Sequence, residues 1–231
     1  MSQNLIIDDL NRDGIIVLSH RMDVTRFVDY LSRCPVYENH VRQGKEEKGP
    51  LGSHPWMCHY MHDVIMAPDW FEIALTYTSF AEAYLDQDPV LYSLNVFYTE
   101  PGVEPKGDIQ DWHRDSDDTN FLALFLYCTD VLTKYDGPHQ FKTGSHLGAE
   151  NGPVKQVYGP KGTMFFTASK GFHRGLVPKS GRRMIAWARW GVSERPPAYD
   201  WDKLSPLPRE LLGNRYPDDL LLQKQIRLVT L

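Results

Sequence analysis

The chain reads as a mainly β protein with α+β character: a double-stranded β-helix (jelly roll, cupin-like) carrying supporting N-terminal and short C-terminal helices. Two observations predict this. Short apolar stretches recur at 91–99, 121–128, 139–142, 154–158, 163–167 and 183–190. Between them stand turn clusters such as Pro101-Gly102, Asp136-Gly137-Pro138, Gly144-Ser145, Gly152-Pro153 and Gly159-Pro160. Many short strands with frequent turn signals describe a sandwich or jelly roll.

The elements follow in order. Residues 4–12 have helical periodicity, and Asp13-Gly14 then turns into the apolar strand Ile15-Ile16-Val17-Leu18. From Asp23, an N-cap residue by type, Val24, Phe27, Val28 and Leu31 recur at helical spacing and stop before Pro35. Residues 42–57 are polar and broken by Gly44, Gly49, Pro50, Gly52 and Pro55, which predicts a long loop of lid type. A further helix is expected from about Asp69 to Leu85, on the spacing of Phe71, Ile73, Ala74, Tyr77, Phe80, Ala81, Tyr84 and Leu85. Phe121–Cys128 is apolar on both faces, so it should be a central strand covered on both sides. After Val192, prolines at 196, 197, 206, 208 and 217 frame short helices at 208–213 and 218–228.

With 231 residues the chain fits one domain, able to bury roughly 70% of its unfolded surface. Its parts are helical support and lid loop (1–88), jelly-roll core (89–192) and C-terminal helical extension (193–231). A net charge of −5 gives no support to a nucleic-acid partner. Three widely spaced cysteines (Cys34, Cys58, Cys128) argue against a disulfide framework. The N-terminus lacks the basic segment of a signal peptide, and no apolar run approaches a membrane span; the expected address is cytoplasmic.

The chemistry is carried by Trp112-His113-Arg114-Asp115 and, far downstream, His173. Alternate residues of an extended segment point to one side, so His113 and Asp115 can grip one ion while Arg114 turns away. Two imidazoles and one carboxylate form the facial triad of non-heme Fe(II) oxygenases. His-X-Asp alone is a weak signal in a chain with nine histidines, and a turn histidine bonded to a neighbouring aspartate is the plain alternative. Position strengthens it, since the motif follows a Pro-Gly loop and precedes the most apolar strand. Arg183 shares its alternating face with Ile185 and Trp187. An arginine inside a barrel needs an anionic partner, and a bidentate carboxylate suits it.

Tyr98-Thr99-Glu100-Pro101-Gly102, Trp112-His113-Arg114-Asp115, Asp136-Gly137-Pro138, Thr143-Gly144-Ser145-His146, Gly162-Thr163-Met164, His173 and Gly181-Arg182-Arg183 occur in this order. The set resembles the phytanoyl-CoA dioxygenase (PhyH)-like family of Fe(II)- and 2-oxoglutarate-dependent oxygenases, over about residues 10–192. The resemblance implies Fe(II) on His113, Asp115 and His173, with 2-oxoglutarate and O2 as cosubstrates. It implies Arg183 as the residue holding the distal carboxylate of 2-oxoglutarate, with Arg182 pointing outward, and it nominates Asn95 and Tyr98 as further cosubstrate contacts. The family also implies hydroxylation of an unactivated C–H bond of a small metabolite, with release of succinate and CO2. Because Asp115 is present where related halogenases carry a small residue, hydroxylation or desaturation is expected over halogenation. Two positions depart from the family pattern: His139-Gln140 stand where an apolar stretch is usual, and Gly175 where a hydroxyl residue is frequent.

Two alternatives stand beside this. One is a cupin-like metalloprotein, an isomerase or dioxygenase, that does not use 2-oxoglutarate; the other is a non-catalytic scaffold with a degenerate triad. A second cluster, His54, Cys58, His59 and His62-Asp63, is conceivable as a zinc site but lacks paired ligand spacing. His146 is expected to stabilise its turn. Arg42, Lys45, Lys48, Arg114 and Arg174 read first as solvated loop charges, with contacts to an anionic small-molecule substrate as the alternative. The aromatic residues are core by default, with one or two lining the pocket.

Overall fold

The fold was analysed in a computed structural model that describes residues 3–38, 56–59, 61–102, 110–193, 205–206 and 229–230. The helices are α1 (Gln3–Asp13), α2 (Thr25–Leu31), α3 (Met61–Met66), α4 (Trp70–Thr76) and α5 (Thr78–Leu85). The strands are β1 (Ile15–Arg21), β2 (Tyr37–Glu38), β3 (Trp56–Cys58), β4 (Val90–Thr99), β5 (Phe121–Tyr127) and β6 (His139–Lys142). They continue with β7 (Val154–Val157), β8 (Thr163–Thr167), β9 (His173–Gly175), β10 (Arg183–Gly191), β11 (Ser205–Pro206) and β12 (Val229–Thr230).

Seven strands form an antiparallel main sheet in the order β1-β8-β5-β10-β4-β3-β2, and β7-β6-β9 form a minor sheet facing it. This is the expected jelly roll. Strand alternation divides the main sheet's side chains between two cores. Leu94 and Val96 of β4, Leu122, Leu124 and Leu126 of β5, Phe166 of β8, and Ala186, Ala188 and Trp190 of β10 pack against the helices. Phe97, Ala123, Phe125, Tyr127, Phe165, Ile185 and Trp187 point the other way and meet Phe141 and Val157 of the minor sheet inside the barrel. All seven residues of β5 are buried, as a central strand covered on both faces requires.

Three expectations are corrected. The segment before residue 89 does more than support the barrel: β1, β2 and β3 are strands of the main sheet. Residues 1–88 and 89–192 therefore share one sheet. The helix expected from Asp69 to Leu85 is two, broken at Tyr77 (φ −87°, ψ 1°). Thr76, Tyr77 and Thr78 have low helix propensity, and Thr76 Oγ1 donates back to the Glu72 carbonyl (2.9 Å). The break lets α5 stack Phe80 on Phe166 (4.4 Å) and offer Thr78 Oγ1 to Trp190 Nε1 (3.2 Å). Asp23 accepts from the Thr25 N–H (2.9 Å), but the residue flanking α2 is Val24, so the cap sits one position early.

His146 does tie its turn down, with Nε2 2.9 Å from the Asn11 carbonyl oxygen at the end of α1. Gly14, at φ +77°, joins α1 to β1, and a Cβ there would strike His146 and Phe141. Of the loop expected at 42–57, residues 42–55 lie outside the described residues, as do the expected helices at 208–213 and 218–228, whereas Trp56 and Met57 belong to β3, paired with Thr99 and Tyr98 of β4. No helix among the described residues is long and apolar enough to cross a membrane.

Candidate metal and cosubstrate site

His113 and His173 are joined by backbone before any metal is considered. His113 N–H donates to the His173 carbonyl (3.1 Å) and His173 N–H to that of His113 (3.0 Å), a two-residue bridge at the edge of β9. Asp115 N–H donates to the Ser169 carbonyl (3.0 Å), which fixes the third residue to the same edge. The ligand atoms of His113, Asp115 and His173 lie within 4.8 Å of one another, the one such grouping of at least three among the described residues.

The imidazole tautomers follow from hydrogen bonding. His113 Nδ1 lies 2.8 Å from the Asp111 carbonyl oxygen and His173 Nδ1 lies 2.9 Å from that of Gly171. A carbonyl oxygen can only accept, so both Nδ1 atoms carry the proton and both Nε2 atoms present a lone pair. Those lone pairs sit 3.6 and 3.5 Å from the two oxygens of Asp115. Burial disfavours the Asp115 charge, yet the neighbouring Arg189 guanidinium outweighs it and holds the carboxyl well below the usual carboxylate range. Burial, then the neighbouring His173, lowers His113 below the ordinary imidazole value. Three acceptors thus converge on one point, an arrangement that repels itself without a cation and fits a metal ion.

Arg189 donates to Asp115 Oδ2 (2.7 Å) and to Asp117 Oδ2. Sequence reasoning missed it, although the alternation that turns Arg183, Ile185 and Trp187 inward on β10 turns Arg189 inward as well.

Arg183 is buried and donates to the carbonyl oxygens of Gly137 and Leu176 (3.3 Å to the latter) and to Thr99 Oγ1 (3.1 Å). No carboxylate contacts it among the described residues, and its Nε has no hydrogen-bond partner there. Burial lowers its pKa, the direction expected of a desolvated cation. Trp187 Nε1 and His139 Nε2 are likewise buried and without partners among the described residues. Nitrogen groups on the barrel's inner side thus await acceptors, as a dicarboxylate would supply. Gly175 explains one departure from the family pattern: a Cβ there would lie 2.7 Å from Arg183 Nη2, so the guanidinium rests on this glycine. Gly175 is two residues beyond His173, about 6.6 Å along a strand.

Asn95 faces the interior, donating to Ser93 Oγ (2.5 Å) and standing opposite Trp187 in register. Tyr98 does not share that face. Three residues from Asn95 on a regular strand, it points to the helix side, where its hydroxyl meets His59 Nε2 (3.0 Å). Tyr98 is therefore removed from the cosubstrate contacts. Arg182 lies outside, paired with Glu100 (2.5 Å). Arg114 and Arg174, for which contact with an anion is the alternative to a solvated charge, are spent on the outer face: Arg114 lies over Phe172 (4.2 Å), and Arg174 over Trp112 (4.6 Å) while bonding Gln140 (2.8 Å). His59 is buried between the Pro35 carbonyl (2.9 Å) and Tyr98, a structural role. His62 is exposed. His54, Arg42, Lys45 and Lys48 lie outside the described residues.

No protein-family model matches the sequence, and no curated protein matches it. Solved structures do. The non-heme alpha-ketoglutarate-dependent epimerase SnoN from nogalamycin biosynthesis superposes with a TM-score of 0.62 at 17% identity, covering 86% of this chain and 87% of that one. HygX from Streptomyces hygroscopicus, with nickel, 2-oxoglutarate and hygromycin B bound, gives 0.58 at 12% identity, covering 84% and 88%. EctD from S. alaskensis with bound Fe gives 0.55 at 16% identity, covering 85% and 82%. At these identities the likeness establishes the fold. The chain is a double-stranded β-helix with a His-X-Asp…His group able to hold a metal ion at the edge of its minor sheet.

Proposed function

We propose that the chain is a non-heme Fe(II)- and 2-oxoglutarate-dependent oxygenase of phytanoyl-CoA dioxygenase-like type, acting on a small metabolite. One observation carries the proposal: His113, Asp115 and His173 converge in the same barrel as a buried guanidinium, Arg183, that lacks a carboxylate among the described residues. The neighbours named for iron and alpha-ketoglutarate chemistry share this fold.

The roles follow from the side chains. His113, Asp115 and His173 would hold the ion through two neutral Nε2 atoms and one carboxylate. Carbonyls of Asp111 and Gly171 fix the imidazole rings through Nδ1, and Arg189 fixes the carboxylate. Arg183 binds the distal carboxylate of the keto acid, and Asn95 lies on the same inner face, opposite Trp187 and four residues along β4 from Thr99, the register partner of Arg183. Phe97 and Phe125 pack against Trp187 (4.6 and 5.9 Å) and keep water from the interior. When bound, Fe(II) with 2-oxoglutarate and O2 supplies oxidative decarboxylation to succinate and CO2 and the oxidising power to attack an unactivated C–H bond.

Hydroxylation is the proposed outcome. The epimerase SnoN and the carbocyclase SnoK share the fold, so the fate of the attacked carbon is set by the substrate's placement. Anaerobic addition of Fe(II) and 2-oxoglutarate to the metal-free protein is the test. A weak visible charge-transfer band is expected, lost in Arg183→Ala and in His173→Ala. A folded, iron-loaded protein without that band would instead be a cupin-like metalloprotein that does not use 2-oxoglutarate.

A further inference from the structure

His139, at the start of β6, occupies a place where the resembled family carries an apolar residue. Its ring is buried inside the barrel against Phe125 (5.0 Å) and Phe165 (5.2 Å), and it stacks on the metal ligand His173 (5.6 Å, 21°). Its backbone N–H donates to the Tyr127 hydroxyl (2.9 Å), but its side-chain Nε2 is buried and has no partner among the described residues. An aliphatic side chain would fill these surroundings without stranding a polar atom. An imidazole carries at least one N–H to give.

The register shows where that N–H belongs. His139 stands opposite Gly175 in the β6–β9 pair, and the Arg183 guanidinium rests on Gly175. An imidazole from the minor sheet and a guanidinium from the main sheet thus flank one glycine, each with a buried nitrogen that has no hydrogen-bond partner among the described residues.

We propose that His139 is a second cosubstrate-binding residue, donating Nε2–H to a carboxylate oxygen of the keto diacid that Arg183 holds. This rests on the 2-oxoglutarate reading above and adds to it a recognition element specific to this sequence. A dicarboxylate held by Arg183 alone would leave His139 Nε2 stranded; one held by both satisfies each.

The test uses the folded protein loaded with zinc for spectroscopy or nickel for calorimetry, both redox-inert. In ring-nitrogen NMR of the zinc form, assigned by loss of the signal in His139→Gln, 2-oxoglutarate should move the His139 Nε2–H resonance downfield. In calorimetry of the nickel form, His139→Leu should bind 2-oxoglutarate roughly ten- to a hundredfold more weakly. Nickel affinity should stay unchanged, and His139→Gln, which keeps a donor, should recover most of the loss. Ligand-free His139→Leu should melt no lower than the wild type, since the change removes a polar atom from apolar surroundings. An unshifted resonance, or unchanged affinity in His139→Leu beside a lost affinity in Arg183→Ala, overturns the role of His139 and leaves the functional proposal standing. If His139→Leu does not fold, the resonance of the unmutated protein decides. Nickel-loaded wild type that does not bind 2-oxoglutarate overturns the functional proposal, and this inference with it.

Discussion

Gly175 shows how much a missing side chain contributes to the site. Its Cα borders the Arg183 guanidinium, and a methyl group there would approach Nη2 to 2.7 Å. Gly175→Ala should displace the guanidinium and weaken 2-oxoglutarate binding about tenfold or more, with metal affinity unchanged, in calorimetry of the nickel-loaded protein. Equal affinity would mean that Arg183 has room to swing aside. Arg183→Ala removes the guanidinium proposed to hold the anion, a loss of about 2–5 kcal/mol in cosubstrate binding, and should also lower ligand-free stability by about 1–3 kcal/mol, because it strands the Gly137 and Leu176 carbonyls and Thr99 Oγ1 that the guanidinium bonds. At this scale the sequence was informative where alternation applied: the inward side of β10 and the pairing of His113 with Asp115 needed only strand geometry. Tyr98 was misplaced because a family motif outweighed that same geometry, which separates it from Asn95. The carbonyl partners of the imidazoles, Asp111 and Gly171, were invisible, since any residue type supplies a carbonyl.

Among the elements, the chain leaving β10 is held by a carboxylate, just beyond the last ladder pairs at Gly191. Asp118, buried, accepts from the backbone N–H groups of Thr119 (2.6 Å), Val192 (2.9 Å) and Ser193 (2.8 Å) and from the Ser193 hydroxyl (2.5 Å). Asp118→Ala leaves several buried donors unsatisfied and should cost about 2–4 kcal/mol in urea unfolding, a loss under 1 kcal/mol counting against this anchoring role. A crowd of aspartates in one loop carries no local mark of burial, and nothing in the sequence separates Asp118 from Asp111, an exposed neighbour. The long strands were legible because their apolar runs span five to ten residues. β2, β3 and β9 were not, since two or three residues cannot establish a period. The break at Tyr77 was hidden because apolar spacing continues across it, and only the packing of Phe80 on Phe166 resolves the chain into α4 and α5.

For the molecule as a whole, acid sensitivity follows from its buried histidines. Burial is the leading cause that lowers His59, His139 and His146 below the ordinary imidazole value. The unfolded chain takes up these protons near the ordinary imidazole value of about 6.5 while the native protein resists them, so below that pH the unfolded state binds more protons. Stability from these groups is complete above about pH 6.5 and declines as the pH falls toward the native values. Melting of the metal-free protein should thus be level between about pH 7 and 8 and fall from about pH 6.5 to 5; a flat profile down to pH 5 would show that these rings accept protons without unfolding. The jelly roll was legible from its many short strands and turns, and the membership of β1 in the main sheet was not, since pairing across some 150 residues leaves no local trace. The placement of His173 in one sheet and Arg183 in the other has a mechanical consequence. A keto acid gripped at both ends rivets the sandwich across its mouth, so its arrival should slow amide exchange in β6 and β9 although it forms no backbone hydrogen bond with either strand.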